Sequence, residues 1–281
     1  MVGSRGERRG CQTDPVASAR ILAALDGYAV EGGLDTPDGP ATCYAPTIAL
    51  GRHAGPGPGE DLWHDYESVV DAARALAIDG LRLSVEWARV EPHPGEIDDE
   101  AFARYDRLVR HARSRDLLVT VALVDRAWPS WLGLEAWLAP WVRERLVGHA
   151  REVVTRLPLV TGVVVVADPQ WLAAGYRDAS APPWRTRARR DARDVLANLA
   201  EVRARLADDE LVGPRLVGAH REVRVGRRVD PADLRPRGVD EVHLRSLVAG
   251  RGPTTADAGL LVRVGGSWSP GPAARLLDAL V

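Results

Sequence analysis

The run Gly162-Val163-Val164-Val165-Val166-Ala167-Asp168-Pro169 constrains this chain more than any other stretch. Four consecutive valines read as a strand buried on both faces, the pattern of a parallel sheet covered by helices. Pro169 has no N–H to give and stops the ladder. Asp168 therefore stands at the carboxyl end of a central strand, where α/β barrels and open α/β sheets carry their chemistry.

Short apolar runs alternate with amphipathic stretches along the 281 residues. Strands are expected at Arg20–Tyr28, Gly80–Trp87, Leu117–Val124 and Gly162–Ala167. Leu216–Val225, Val239–Leu247 and a short Gly259–Val264 follow as strands five to seven. Helices are expected at Asp65–Ile78, Asp98–Arg115, Pro140–Arg156, Arg187–Leu206 and Pro272–Leu280, with apolar residues at helical spacing. Strand–helix alternation of this kind means a parallel sheet with helices outside. Six or seven such units favour a (β/α)8 TIM-barrel-like α/β fold over a doubly wound sheet. One barrel-like domain over 15–281 is expected, after a polar, Gly- and Arg-rich tail at 1–14.

Bulk properties remove several function classes. With 46% hydrophobic residues and a formal net charge of −2, the chain has a full core and no electrostatic case for nucleic acid or an anionic membrane. It contains no lysine, so Schiff-base chemistry through lysine is excluded. Its two cysteines, Cys11 and Cys43, form no CxxC pair, and no metal site is expected. No Gly-x-Gly-x-x-Gly or phosphate loop follows a strand, and no cofactor is expected. The N-terminus lacks the apolar segment of a signal peptide, no run reaches membrane-spanning length, and a cytoplasmic bacterial protein is expected.

Several stretches, in order, resemble glycoside hydrolase family 1, the β-glucosidase family. Leu81-Arg-Leu-Ser-Val-Glu-Trp-Ala-Arg-Val is similar to the family's Y-R-F-S-I-S-W-S-R-I. Gly95-Glu-Ile-Asp-Asp-Glu-Ala-Phe resembles the start of its next helix. Trp128-Pro-Ser-Trp-Leu is similar to L-P-Q-W-L, and Tyr28-Ala-Val-Glu-Gly to Y-Q-I-E-G. Ala167-Asp168-Pro169 stands where the family has N-E-P, Gly175-Tyr176 where it has G-Y, and Ser267-Trp268 near its closing G-W. The resemblance implies a family barrel, strongest over 61–169 and weak after about 210, so an incomplete or distorted barrel is expected at the C-terminal strands.

It also implies where the chemistry departs. The family's acid/base glutamate corresponds to Asp168 and its preceding asparagine to Ala167. Its sugar-binding glutamine corresponds to Ala29, its sugar-binding histidine to Asp125, and the neighbouring tryptophan to Arg126. The nucleophile motif I-T-E-N-G is not found; Val262-Arg-Val-Gly-Gly is the nearest stretch. Retaining glycosidases need two carboxyls about 5–5.5 Å apart. Asp168 is one methylene shorter than glutamate, and a misplacement of roughly 1 Å can cost about a hundredfold in rate. Ordinary retaining hydrolysis is therefore not expected, although inversion with Asp168 and Asp125 stays open.

The candidate catalytic residues are Asp168 and Asp125. Glu31, Arg82, Arg126, Trp128, Tyr176, His220, His243 and Arg245 are candidates to bind a small molecule, with Trp63, Trp171, Trp184 and Trp268 as apolar walls. Plainer readings stand beside these. Asp168 suits a helix cap, Asp125-Arg126 a surface pair, Arg82 a structural arginine, and the histidines satisfied strand positions. Trp87, Trp131, Trp137 and Trp141 read as core. Three functions remain: a repurposed acid–base enzyme, for instance in natural-product biosynthesis, a non-catalytic pseudoglycosidase binding a glycoside or a protein, and residual hydrolysis through Asp168. The resemblance implies that strands seven and eight are lacking or reduced to a remnant of one, so a homodimer or an edge shielded by residues 226–260 is expected.

Overall fold

The computed structural model describes residues 22–59, 61–75, 79–186 and 188–217, with three short strands at 223–225, 241–243 and 260–263. Its frame is four parallel strands, β1 (Leu22–Leu25), β2 (Gly80–Ser84), β3 (Leu118–Val124) and β4 (Gly162–Val166). They pair in chain order, with Leu22 opposite Gly80, Gly80 opposite Leu118, and Thr120 opposite Gly162. Parallel neighbours need long crossovers, which here are helical. Helices α1 (Gly27–Val30), α2 (Ala45–Ala49) and α3 (Tyr66–Ala75) fill the first crossover. The second contains α4 (Trp87–Val90) and α5 (Asp99–Ser114), and the third α6 (Trp141–Arg156). Beyond β4 come α7 (Pro169–Arg177) and α8 (Arg189–Ala207).

Side-chain alternation divides the strands between two environments. Leu81, Leu83, Val119, Val121 and Val163 join the large core with Val69, Leu108, Leu146 and Val153 of the surrounding helices. The opposite face is different. Ala122, Val164 and Ala167 form a separate small apolar cluster against Val217, and the buried Arg82, Ser84 and Thr120 are polar. The sheet thus packs helices on one side and encloses a partly polar interior on the other, as a barrel does.

Local chemistry fixes the element ends. Asp98 caps α5, its carboxylate accepting from Ala101 N–H at 2.8 Å, and Asp99 and Glu100 occupy the positive first turn. Gly80 opens β2 because a Cβ there would lie 2.6 Å from the Leu118 carbonyl oxygen. Ion pairs at the surface link α6 to α8 and to the turn after it, Arg205 to Glu144 at 2.6 Å and Arg151 to Asp209 at 2.6 Å. Pairs of this type contribute little each.

Three expectations change. The first strand ends at Leu25, not Tyr28, because the chain turns at Asp26 into α1 and buries Tyr28 against Tyr44, ring centroids 4.5 Å apart. The second ends at Ser84, with Trp87 opening α4. The closing strands do not continue the parallel order. Leu216 bridges Val163 in parallel, the start of the expected fifth strand. Yet β5 (Val223–Val225) pairs antiparallel with β7 (Leu260–Arg263), and β6 (Glu241–His243) runs parallel to β1. The full order is β4-β3-β2-β1-β6-β7-β5. A bare β1 edge would expose unpaired backbone groups, and β6 covers it. The expected helix at 272–280 lies outside the described residues. No helix among the described residues is long and apolar enough to cross a membrane.

Gly80→Ala should lower stability by about 1–3 kcal/mol through overpacking, read as a lower urea midpoint. An unchanged midpoint would mean that β2 and β3 are not packed as described.

Candidate active site at the strand ends

Charged groups gather at the carboxyl ends of β1 to β4. At the end of β3, Asp125 is 3% exposed, although an aspartate there could have been a surface residue. Its Oδ2 lies 3.2 Å from Arg82 Nη2 and accepts a hydrogen bond from Ser84 Oγ at 3.1 Å. Arg82 and Ser84 come from alternate positions of β2, so both point to the inner face. Arg126 Nε lies 3.8 Å from Asp125 Oδ1, and Arg126 Nη1 lies 3.8 Å from Asp168 Oδ2. Its guanidinium also stacks over Trp171 at 4.7 Å. Arg126 thereby joins the ends of β3 and β4.

Asp168 is the N-cap of α7, its Oδ1 accepting from Trp171 N–H at 2.9 Å. Helix end and guanidinium both suit a negative carboxylate. The strand end and the cap are one residue, so the functional and the structural readings of Asp168 meet in the same geometry.

Glu31 has a structural setting. It is 1% exposed, accepts from Arg89 Nε at 2.9 Å, and accepts from the Tyr105 hydroxyl at 2.6 Å. Arg89 also donates to the Gly32 carbonyl at 2.7 Å and stacks on Trp63 at 4.0 Å. Burial raises the Glu31 carboxyl, against the lowering effects of Arg89 and Tyr105. Trp128 and Tyr176 are fully enclosed. The Trp128 indole donates to the Gly133 carbonyl at 3.1 Å, and the Tyr176 hydroxyl donates to the Leu134 carbonyl at 2.8 Å. Burial pushes the Tyr176 hydroxyl upward. His243 lies in β6 opposite Ala24 of β1; His220, Arg245 and Trp268 lie outside the described residues. Trp184, at φ 56°, sets its ring edge-on to Tyr44 at 5.6 Å. Among the described residues, no three His, Cys, Asp or Glu side chains are grouped to hold a metal ion.

One buried carboxyl escapes the sequence reading. Glu86 follows β2 and is 2% exposed. It holds the N-cap position of α4, yet its side chain makes no capping bond. The carboxyl turns instead toward Gly27, where a Cβ would meet Glu86 Oε1 at 2.5 Å and Glu31 Oε1 at 3.0 Å. Burial, then the charges of Glu31, Asp26 and Asp125, hold the Glu86 carboxyl well above the glutamate range, with Arg89 opposing.

The family model for glycosyl hydrolase family 1 matches residues 24–204. The chain belongs to glycosyl hydrolase family 1. A 6-phospho-beta-galactosidase of Lacticaseibacillus rhamnosus is 25% identical over 169 residues, 59% of this chain and 36% of that protein. A beta-glucosidase of Agrobacterium sp. (strain ATCC 21400) is 25% identical over 135 residues, 47% of this chain and 29% of that protein. The chain thus spans about a third of the length of these curated relatives. Aphid myrosinase superposes with a TM-score of 0.63 at 18% identity, over 68% of this chain and 44% of its own. The beta-glycosidase from Pyrococcus horikoshii gives 0.61 at 21% identity, over 70% and 46%. Those structures share the fold.

Within the family stretches, Glu31 and Arg89 fall on Y-Q-I-E-G and S-R-I, so their ion pair joins two motif positions. Glu86 replaces the serine of S-I-S-W, which was the available signal for it.

Two outcomes test this site. Asp168→Ala should cost about 1 kcal/mol through the lost cap of α7, seen in urea unfolding. For Glu86, the folded chain keeps a proton that the unfolded chain releases above about pH 4.3. Its contribution is therefore full below that pH and is lost as pH rises toward the folded value. Glu86→Gln should remove this decline, so that the variant gains on the wild type with rising pH; parallel curves would contradict the assignment.

Proposed function

We propose that the protein performs acid–base chemistry on a small molecule at the barrel mouth, without the covalent double displacement of a retaining glycosidase. The carrying observation is the engagement of Asp168, whose Oδ1 caps α7 and whose Oδ2 faces Arg126 at 3.8 Å. A retaining enzyme needs the carboxyl at this place to give a proton to the leaving oxygen. A carboxylate set between a helix N-terminus and a guanidinium is held as the anion, poorly suited to give a proton and suited to stabilise positive charge. An isomerisation, cyclisation or elimination that passes through a cationic state needs one such anion and a polar cradle. Asp125, Arg82 and Arg126 supply the cradle, and Trp171, stacked on Arg126, borders it.

A non-catalytic binder is the second reading. It is favoured by the engagement of Asp125, whose carboxylate is held by Arg82 at 3.2 Å and by the Ser84 hydroxyl at 3.1 Å and so is already committed to the scaffold.

Chromogenic aryl β-glucosides and 6-phospho-β-galactosides separate these readings from ordinary hydrolysis. No chromophore release is expected from either, with wild type or with Asp168→Asn. Release that disappears in Asp168→Asn would overturn the proposal and assign residual hydrolysis to this carboxyl.

A further inference from the structure

We propose that Glu86 is the proton donor of the barrel mouth and that the molecule it serves carries a basic nitrogen, such as an amine or imine. The inference rests on the reading of the mouth as a small-molecule site and adds the acid that Asp168 does not supply.

Position comes first. Val85 N–H continues the β2 ladder by donating to the Ala122 carbonyl at 3.1 Å. Alternation therefore places Glu86 on the inner side with Arg82 and Ser84, while Val85 joins the outer core. It stands at the carboxyl end of its strand, where barrel enzymes place reacting groups.

Engagement comes second. The other carboxylates nearby are taken: Glu31 by Arg89 and Tyr105, Asp125 by Arg82 and Ser84, and Asp168 by α7 and Arg126. The Glu86 carboxyl has no hydrogen bond or ion pair among the described residues, although it sits where it could cap α4. An acidic group buried without a partner is costly to maintain for stability alone. Its surroundings also raise its affinity for a proton, since burial and the charges of Glu31, Asp26 and Asp125 all disfavour a further anion there.

Ligand chemistry follows from the same charges. When a neutral nitrogen takes the proton from Glu86, an N–H bond forms, the O–H bond breaks, and a carboxylate–ammonium pair replaces two neutral groups. The new cation faces Asp26, Glu31, Glu86 and Asp125, while Arg89 lies close enough to Glu86 to moderate the new negative charge. No electron leaves the pair and no co-reactant is needed. A neutral alcohol or an anion gains nothing from this arrangement.

Infrared spectroscopy of protein labelled with 13C-glutamate, titrated with imidazole at pH 8, tests the proposal. A protonated glutamate band should be present without imidazole. Imidazole should convert it to a carboxylate band along a saturable curve, and Glu86→Gln should lack both the band and the conversion. Glu86→Asp is the second variant; it should lose the labelled glutamate band while leaving the fold intact by circular dichroism. A band that imidazole leaves unchanged would show a closed structural acid and overturn the proposal. Absence of any protonated glutamate at pH 8 would overturn it as well. Glycoside turnover plays no part in this readout, so its outcome is separate from that of the hydrolysis assay.

Discussion

Arg82 and Asp125 meet inside the sheet, 2% and 3% exposed, and the mouth is organised around their contact. Placing two charges in a low-dielectric interior is expensive, and mutual attraction offsets the cost only when further polar groups complete the site. Here Ser84 adds a hydrogen bond from β2 and Arg126 adds a second guanidinium from the end of β3. Through Arg126 the network extends to Asp168, so three parallel strand ends are joined by one set of charges. Geometry at β4 thus depends on a pair formed between β2 and β3.

A second buried pair, Glu31 with Arg89, holds the turn after β1 to the helix after β2. Tyr105 completes it from α5, donating to Glu31 and accepting from the Glu86 backbone N–H. Both charged partners fall in stretches that match family 1 motifs, and their contacts lie in the packing between elements. The groups that depart from the motifs, Glu86, Asp125, Arg126 and Asp168, stand together at the mouth.

Much of the frame was legible because it is local. The valine run of β4 and the Asp98 cap of α5 follow from periodicity and end chemistry within a few residues. The ends of β1 and β2 were overextended, since apolar residues continue past them into short helices that periodicity does not separate from strand. The antiparallel β5–β7 pairing is long-range, and short apolar runs contain no signal for its direction. At the mouth, the position of Asp168 was readable from Pro169, but the enclosure of Trp128 and Tyr176 was not. Both rings sit in the large core, and their polar atoms are met by the carbonyls of Gly133 and Leu134, loop residues whose placement is set by tertiary packing. Glu86 was hidden by its place between a strand and a four-residue helix, where an acidic residue ordinarily reads as a cap.

A double-mutant cycle on Arg82→Met and Asp125→Leu, followed by urea unfolding, tests the central role of the pair most directly. Each single change breaks the buried pair by removing one partner and should cost about 3–5 kcal/mol, whereas the double variant should recover much of that loss. Costs that simply add in the double variant would contradict a mouth built around this contact.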